Sequence, residues 1–244
     1  HGFRDTGCVA LRLIEAVDFG GKTCFTLRLA QELQRLTREP VTALFPDPDC
    51  PGTAQLFPAE EGFPSLGAAL DSSDIFEERV LKNLHVEKSL PNLGYLGYRS
   101  DDTPESYPAL TQDRVDALLR VLNSMSSFIV ADLGSFPPAE LLGQTLWERA
   151  GRRITVLSAD FRTTAWLGRG RREPQELCVL NGRDRRAEAA EAEMRNFLTG
   201  SRLFELPYSR ALAEQAAAGS LGRHLPEGRY AKALRAVAEE LVHE

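Results

Sequence analysis

Long apolar runs are missing from this sequence. No stretch of the 244 residues approaches about 18 uncharged apolar side chains, so no transmembrane helix is expected. The opening His1-Gly2-Phe3-Arg4-Asp5 has no apolar core and does not read as a signal peptide. It also lacks an initiator Met. The expectation is one domain over residues 1–244, forming the C-terminal part of a longer protein. Cysteine is scarce: Cys8, Cys24, Cys50 and Cys178 are far apart and form no C-x-x-C pair. That excludes zinc and disulfide frameworks and predicts buried free thiols in a reducing cytoplasm. Positive charge is short as well, with 29 Lys and Arg against 35 Asp and Glu, a net −6. An acidic chain argues against a dedicated nucleic-acid binder. His85, His224 and His243 have no metal-ligand spacing and read as surface or loop residues. No G-x-S-x-G nucleophile motif occurs, nor any repeat or low-complexity tract.

What remains is an ordinary globular composition. Hydrophobic residues make up 43% and charged residues 26%, enough for a real core. Strand-like runs alternate with helical ones. The strands are Cys8–Ile14, Val41–Phe45, Asn92–Tyr98, Ser127–Ser135, Arg153–Asp160, Leu177–Asn181 and Leu203–Pro207. Apolar residues at helical spacing predict helices over Lys22–Leu36, Gln112–Asn123 behind Thr111, Pro138–Ala150, Arg185–Leu198 and Tyr230–Val242. Residues 58–112 are hardest to read. Leu66–Leu70 and Ile75–Leu84 fit short helices that belong to the core rather than to a partner groove. Such alternation predicts an α/β fold, a mostly parallel sheet with helices on both faces. Several strands end in Asp, Ser or Asn, and in open parallel sheets ligands gather at those carboxyl ends.

Ala16-Val17-Asp18-Phe19-Gly20-Gly21-Lys22-Thr23 stands between the first strand and the first helix. A phosphate loop, G-x-x-x-x-G-K-[ST], uses bare backbone N–H groups, one Lys and one hydroxyl to hold polyphosphate and Mg²⁺. Gly21, Lys22 and Thr23 match its second half, and Ala16 replaces its first Gly. A plain strand-to-helix turn would read the same from these letters alone; the flanking strand and helix supply the context.

Further landmarks follow in order: Asp47-Pro48-Asp49-Cys50-Pro51-Gly52 after the second strand, Phe128–Gly134, Val179-Leu180-Asn181, and Leu206-Pro207-Tyr208 followed by Ala217-Ala218-Gly219. With the loop, these resemble the MinD/ParA class of P-loop ATPases over nearly the whole chain. The spacing and the Leu-rich middle most resemble the pilus-assembly ATPases TadZ and CpaE. The resemblance implies a P-loop fold that binds ATP and Mg²⁺. Gly20, Gly21, Lys22, Thr23 and Cys24 would form the phosphate cradle, with Lys22 on the β- and γ-phosphates. Thr23 and, through water, Asp132 would hold Mg²⁺. Asp47 would orient the attacking water. Asn181 would meet the adenine edge, with Pro207 and Tyr208 bordering the base.

The departures have consequences. The class's second Lys, which crosses a dimer interface, falls on Val17, and Asp18 and Phe19 occupy glycine positions. Two unit charges about 4 Å apart repel by roughly 4 kcal/mol at an effective dielectric near 20, so an inward Asp18 would oppose a polyphosphate. Weak binding, slow hydrolysis, or neither is expected. The functional expectation is a cytoplasmic switch for positioning or assembling a pilus or secretion apparatus, acting through a homodimer or protein partners. Its alternatives are a non-enzymatic scaffold and a DNA-partitioning or conjugation accessory ATPase. Arg169, Arg171 and Arg172 read as a solvated loop rather than a nucleic-acid contact. The acidic end, Glu239-Glu240-Leu241-Val242-His243-Glu244, argues against a membrane-surface tail.

Overall fold

Strand alternation decides which face each side chain joins. Val130 enters one core cluster, while its neighbours Ile129 and Ala131 enter another. Side chains two apart share a face of a sheet, so these clusters lie on opposite sides. The computed structural model describes residues 7–13, 21–49, 51–56, 64–71, 74–134, 140–158, 160–168, 177–183 and 188–243. Cys8 has only its backbone described; Ala16, Val17, Asp18, Phe19, Gly20, Cys50, Arg169, Arg171 and Arg172 lie outside these residues.

The strands are β1 (Gly7–Leu13), β2 (Val41–Phe45), β3 (His85–Val86), β4 (Leu93–Gly97), β5 (Phe128–Asp132), β6 (Arg152–Ser158), β7 (Leu177–Arg183) and β8 (Arg202–Pro207). They form one eight-stranded sheet in the order β3-β4-β2-β5-β1-β6-β7-β8. All the pairings are parallel except β3 with β4. β1 therefore lies centrally, between β5 and β6, with Leu11 beside Asp132.

Ten α-helices are described: α1 (Lys22–Thr37), α2 (Thr53–Leu56), α3 (Leu66–Leu70), α4 (Glu77–Lys82), α5 (Gln112–Met125), α6 (Leu141–Arg149), α7 (Phe161–Leu167), α8 (Glu188–Phe197), α9 (Arg210–Ala217) and α10 (Arg229–His243). α1 and α10 pack on one face through Phe25, Leu29, Leu33, Leu234, Val237 and Ala238, with Val41, Ala43, Val130, Val156 and Val179 beneath them. The other face carries α3–α6 over Leu44, Leu96 and Ile129. α7 and α8 continue that layer over Leu157, Cys178 and Leu180. The fold class expected from the sequence is the one observed.

Some local expectations change. Thr111 does occupy the N-cap of α5, but its hydroxyl makes no capping bond. α2, α7, α9 and the two-residue β3 were not foreseen. His85 is half-buried in β3, not in a loop, and stacks on Tyr95 with ring centroids 6.1 Å apart. Leu66, Leu70 and Val80 are core residues as expected, yet Leu81 is exposed. Cys24 and Cys178 are both buried. Among the described residues no helix is long and apolar enough to cross a membrane.

Candidate functional site

Parallel strands place their carboxyl ends on one edge, and there the polar tips meet. β1 connects across β5 to β2 on one side, while β5 connects back across β1 to β6. The chain thus diverges beside β1, the kind of crevice in which open α/β sheets bind ligands. α1 begins at that point.

Gly21 is the N-cap of α1, with φ 73°, a left-handed conformation that costs a side-chain-bearing residue energy. A Cβ on Gly21 would stand 2.7 Å from Nδ2 of Asn181, so the β7 tip and the start of α1 touch only because no side chain intervenes. Phe25 N–H donates to Gly21 O at 2.8 Å and starts the helical ladder. The N–H groups before it have no acceptor within the helix, and they carry the positive end of its dipole. No Asp or Glu stands in this first turn.

Thr23 is buried, and its hydroxyl donates to Oδ2 of Asp132 at 3.3 Å. Asp132 ends β5, and its other oxygen accepts from Gly134 N–H at 3.1 Å. Gly134 has φ +64°, and a Cβ there would come within 2.7 Å of Oδ2 of Asp47. Asp47 follows β2 and holds its own turn by accepting from Asp49 N–H at 2.9 Å. Gly52 closes the ring: a Cβ on it would meet the Phe45 ring at 2.8 Å and Cγ2 of Thr23 at 3.1 Å.

Residues read from the sequence thus fall as follows. Thr23 and Asp132 are joined directly, Asp47 reaches the same edge through Gly134, and Asn181 lies against Gly21. Pro207 ends β8 beside Arg183, just past Asn181 on β7, and Tyr208 is exposed beyond it. Lys22 opens α1, its side chain lying outside the described residues. Cys24 turns into the core, where burial pushes its thiol up to about 11 against the pull of Arg28. Only its backbone N–H belongs to the open first turn. Gly52 and Gly134 were not singled out from the sequence. Their signal was weak, a glycine following an acid at a strand tip. Chemically, the edge offers first-turn helix amides, a hydroxyl and two carboxylates: donors for an oxyanion beside oxygen ligands for a hard cation.

No protein-family model matches the chain, and no curated protein sequence does. Solved structures do. A ParA family ATPase from Chlorobium tepidum TLS superposes with a TM-score of 0.75 at 16% identity, over 97% of this chain and 99% of that one. The MinD cell division protein of Aquifex aeolicus gives 0.68 at 14%, over 97% of both chains. The septum site-determining protein MinD from Pyrococcus horikoshii OT3, complexed with Mg-ADP, gives 0.66 at 17%, over 97% of this chain and 96% of that one. The fold is the MinD/ParA P-loop architecture.

Proposed function

We propose that this chain binds Mg-ATP at the edge built by Gly21, Thr23, Asp132 and Asn181. The bound state acts as a switch that positions or assembles a pilus or secretion apparatus in the cytoplasm, with hydrolysis slow or lost. One observation carries the reading: the 3.3 Å approach of the Thr23 hydroxyl to the Asp132 carboxylate at the start of α1. A hydroxyl and a carboxylate beside the first-turn amides of α1 form a fitting donor set for a polyphosphate with its divalent cation. The Gly21 conformation supports it, since its backbone is kept free of a side chain. The Mg-ADP held by the Pyrococcus horikoshii protein supports it by likeness of fold.

In this reading the amides of Lys22, Thr23 and Cys24, with Gly20 and Gly21, hold phosphate oxygens, and Lys22 brings its ammonium to them. Thr23 would supply a hydroxyl to Mg²⁺ and Asp132 would hold water around it; bound there, the ion would offset phosphate charge. Asp47 orients the attacking water. Asn181 meets the adenine edge, and Pro207 with Tyr208 borders the base. Val17, where the MinD/ParA class has its second Lys, leaves any nucleotide-bridged homodimer without the cross-subunit cation, and this supports slow turnover. The MinC:MinD complex of Aquifex aeolicus supports a protein partner as the reader of the switch.

The test is thermal melting with and without Mg-ATP. Ligand at 100 times its dissociation constant adds about 2.7 kcal/mol, roughly 5–10 °C for a chain of this size. Lys22→Ala should abolish that shift. An unchanged wild-type melt at millimolar Mg-ATP overturns the reading in favour of a nucleotide-free scaffold, which Asp18 in a glycine position favours. Salt-sensitive retention on DNA would instead favour the partitioning role.

A further inference from the structure

The segment 207–225 forms a strap across the sheet. It leaves the edge strand β8 at Pro207, passes through α9 and reaches α2, where Gly222 N–H donates to Leu56 O at 3.4 Å. β8 and β2 stand five positions apart in the sheet, about 24 Å at the usual strand spacing of about 4.8 Å. Leu212 and Leu221 bury their side chains in the same cluster as Phe25 and Leu29 of α1.

Arg28, in the second turn of α1, fastens this strap. It is 3% exposed. Its Nη2 donates to Oε1 of Gln215 at 2.5 Å and to the carbonyl of Arg223 at 3.0 Å, and Nη1 donates to Oε1 of Gln31 at 2.7 Å. Gln215 in turn donates from Nε2 to His224 O at 3.0 Å, and its carbonyl accepts from Ser220 N–H at 2.9 Å. One side chain of α1 therefore holds both ends of the turn between α9 and α10. All these acceptors are neutral, so among the described residues no carboxylate partners the guanidinium in the core, and its Nε makes no hydrogen bond. An apolar side chain of the same volume would avoid that desolvation cost. Three directional bonds from a planar fork fix a geometry, which an apolar contact does not.

We propose that Arg28 is a positioning residue of the nucleotide site: it pins the 207–225 strap to the helix that opens at Gly21–Thr23, and so sets the base side, Pro207 and Tyr208, in register with the phosphate side. This rests on the nucleotide reading above. It extends that reading to a residue that touches no ligand. The strap's bond to Leu56 O also ties the base side to the segment after β2 that carries Asp47.

The experiment titrates the full chain with Mg-ATP and with inorganic tripolyphosphate, which has no base. In Arg28→Met the affinity for ATP should fall about tenfold, the effect of losing hydrogen bonds to a charged group. Tripolyphosphate affinity should change by less than about twofold. Gln215→Ala removes the strap's half of the contact from a half-buried position and should reproduce the selective loss, at about threefold. A role in folding alone would move both ligands together. Equal losses for the two ligands, or no loss for ATP in either variant, overturn the proposal while leaving nucleotide binding intact. If Arg28→Met does not fold, Gln215→Ala decides alone by the same ratio. A wild-type chain that binds neither ligand defeats the nucleotide reading itself, and this inference with it.

Discussion

α1 and α5 both cover the sheet, on opposite faces, and they are built differently. α5 buries one stripe, Val115, Leu118, Leu119 and Leu122, and leaves much of its far side to solvent. In α1 every side chain from Thr23 to Gln34 is buried, because α10 lies along its outer side. A helix buried all round is ordinarily apolar all round. α1 instead encloses Arg28, Gln31, Glu32 and Gln34. Gln31 donates to Tyr95 OH on β4 at 3.3 Å, and Glu32 accepts from Arg235 on α10 at 2.6 Å. α5 is held by an exchangeable apolar stripe, α1 by such a stripe and also by addressed contacts to three neighbouring elements.

The largest test compares the two stripes. Leu29→Ala and Leu119→Ala should each lose about 2–5 kcal/mol in urea melts, since both side chains are fully buried. The Leu119 variant should keep the Mg-ATP melting shift, while the Leu29 variant, on the helix that starts at the site, should lose part of it. Equal loss of the shift in both would erase the contrast.

Alkaline pH separates the helices next. Burial raises the Cys24 thiol from 9.0 to about 11 in the folded chain. The folded pKa is the higher one, so its contribution is fully present below pH 9 and is lost as pH climbs from about 9 towards 11. The window is on the order of 2 kcal/mol. Burial also raises Tyr95, Tyr98 and Tyr230, so a further decline above pH 10 should persist in Cys24→Ala. A wild type whose urea midpoint stays flat from pH 8.5 to 10.5 contradicts this.

A smaller effect is expected at the N-cap. Gly21→Ala should cost about 1–2 kcal/mol in chemical melts for its left-handed backbone and should displace Asn181, weakening the ligand shift as well. Full retention of both would mean that the Gly21–Asn181 contact is dispensable. The smallest effect concerns two ion pairs. Double-mutant cycles should give more coupling for Glu32–Arg235, whose carboxylate is buried, than for Asp116–Arg149, whose side chains are both partly open to solvent. Both should weaken with salt.

These helices also mark what the sequence makes legible. Phe25, Leu29 and Leu33 show the face α1 turns to the sheet, whereas Leu36, next in the same spacing, is exposed because the helix runs past the sheet's cover there; periodicity is also silent about a second helix on its back. Arg28 was therefore invisible as a contact. The β5 strand was readable to within a few residues because a continuous apolar run closes on Asp132. α9, Ser209-capped and rich in alanine, has too few large apolar residues to signal its period. β3 has only two residues and forms because β4 offers it an edge. At the site, Thr23, Asp132 and Asn181 were legible as polar residues at element ends. Gly52 and Gly134 were not, because their importance lies in what approaches them, Thr23 and Asp47, from elsewhere in the chain.

The position of β1 has a consequence for how the protein is made. Gly7 pairs with Phe128 and Val9 with Arg152, so both neighbours of the central strand are translated more than a hundred residues after it. At roughly 5–20 residues per second on the ribosome, β1 waits on the order of ten seconds unpaired. During that interval the nascent chain carries a sticky, unprotected β segment, which makes a holding chaperone or a slow-growth condition a natural determinant of yield.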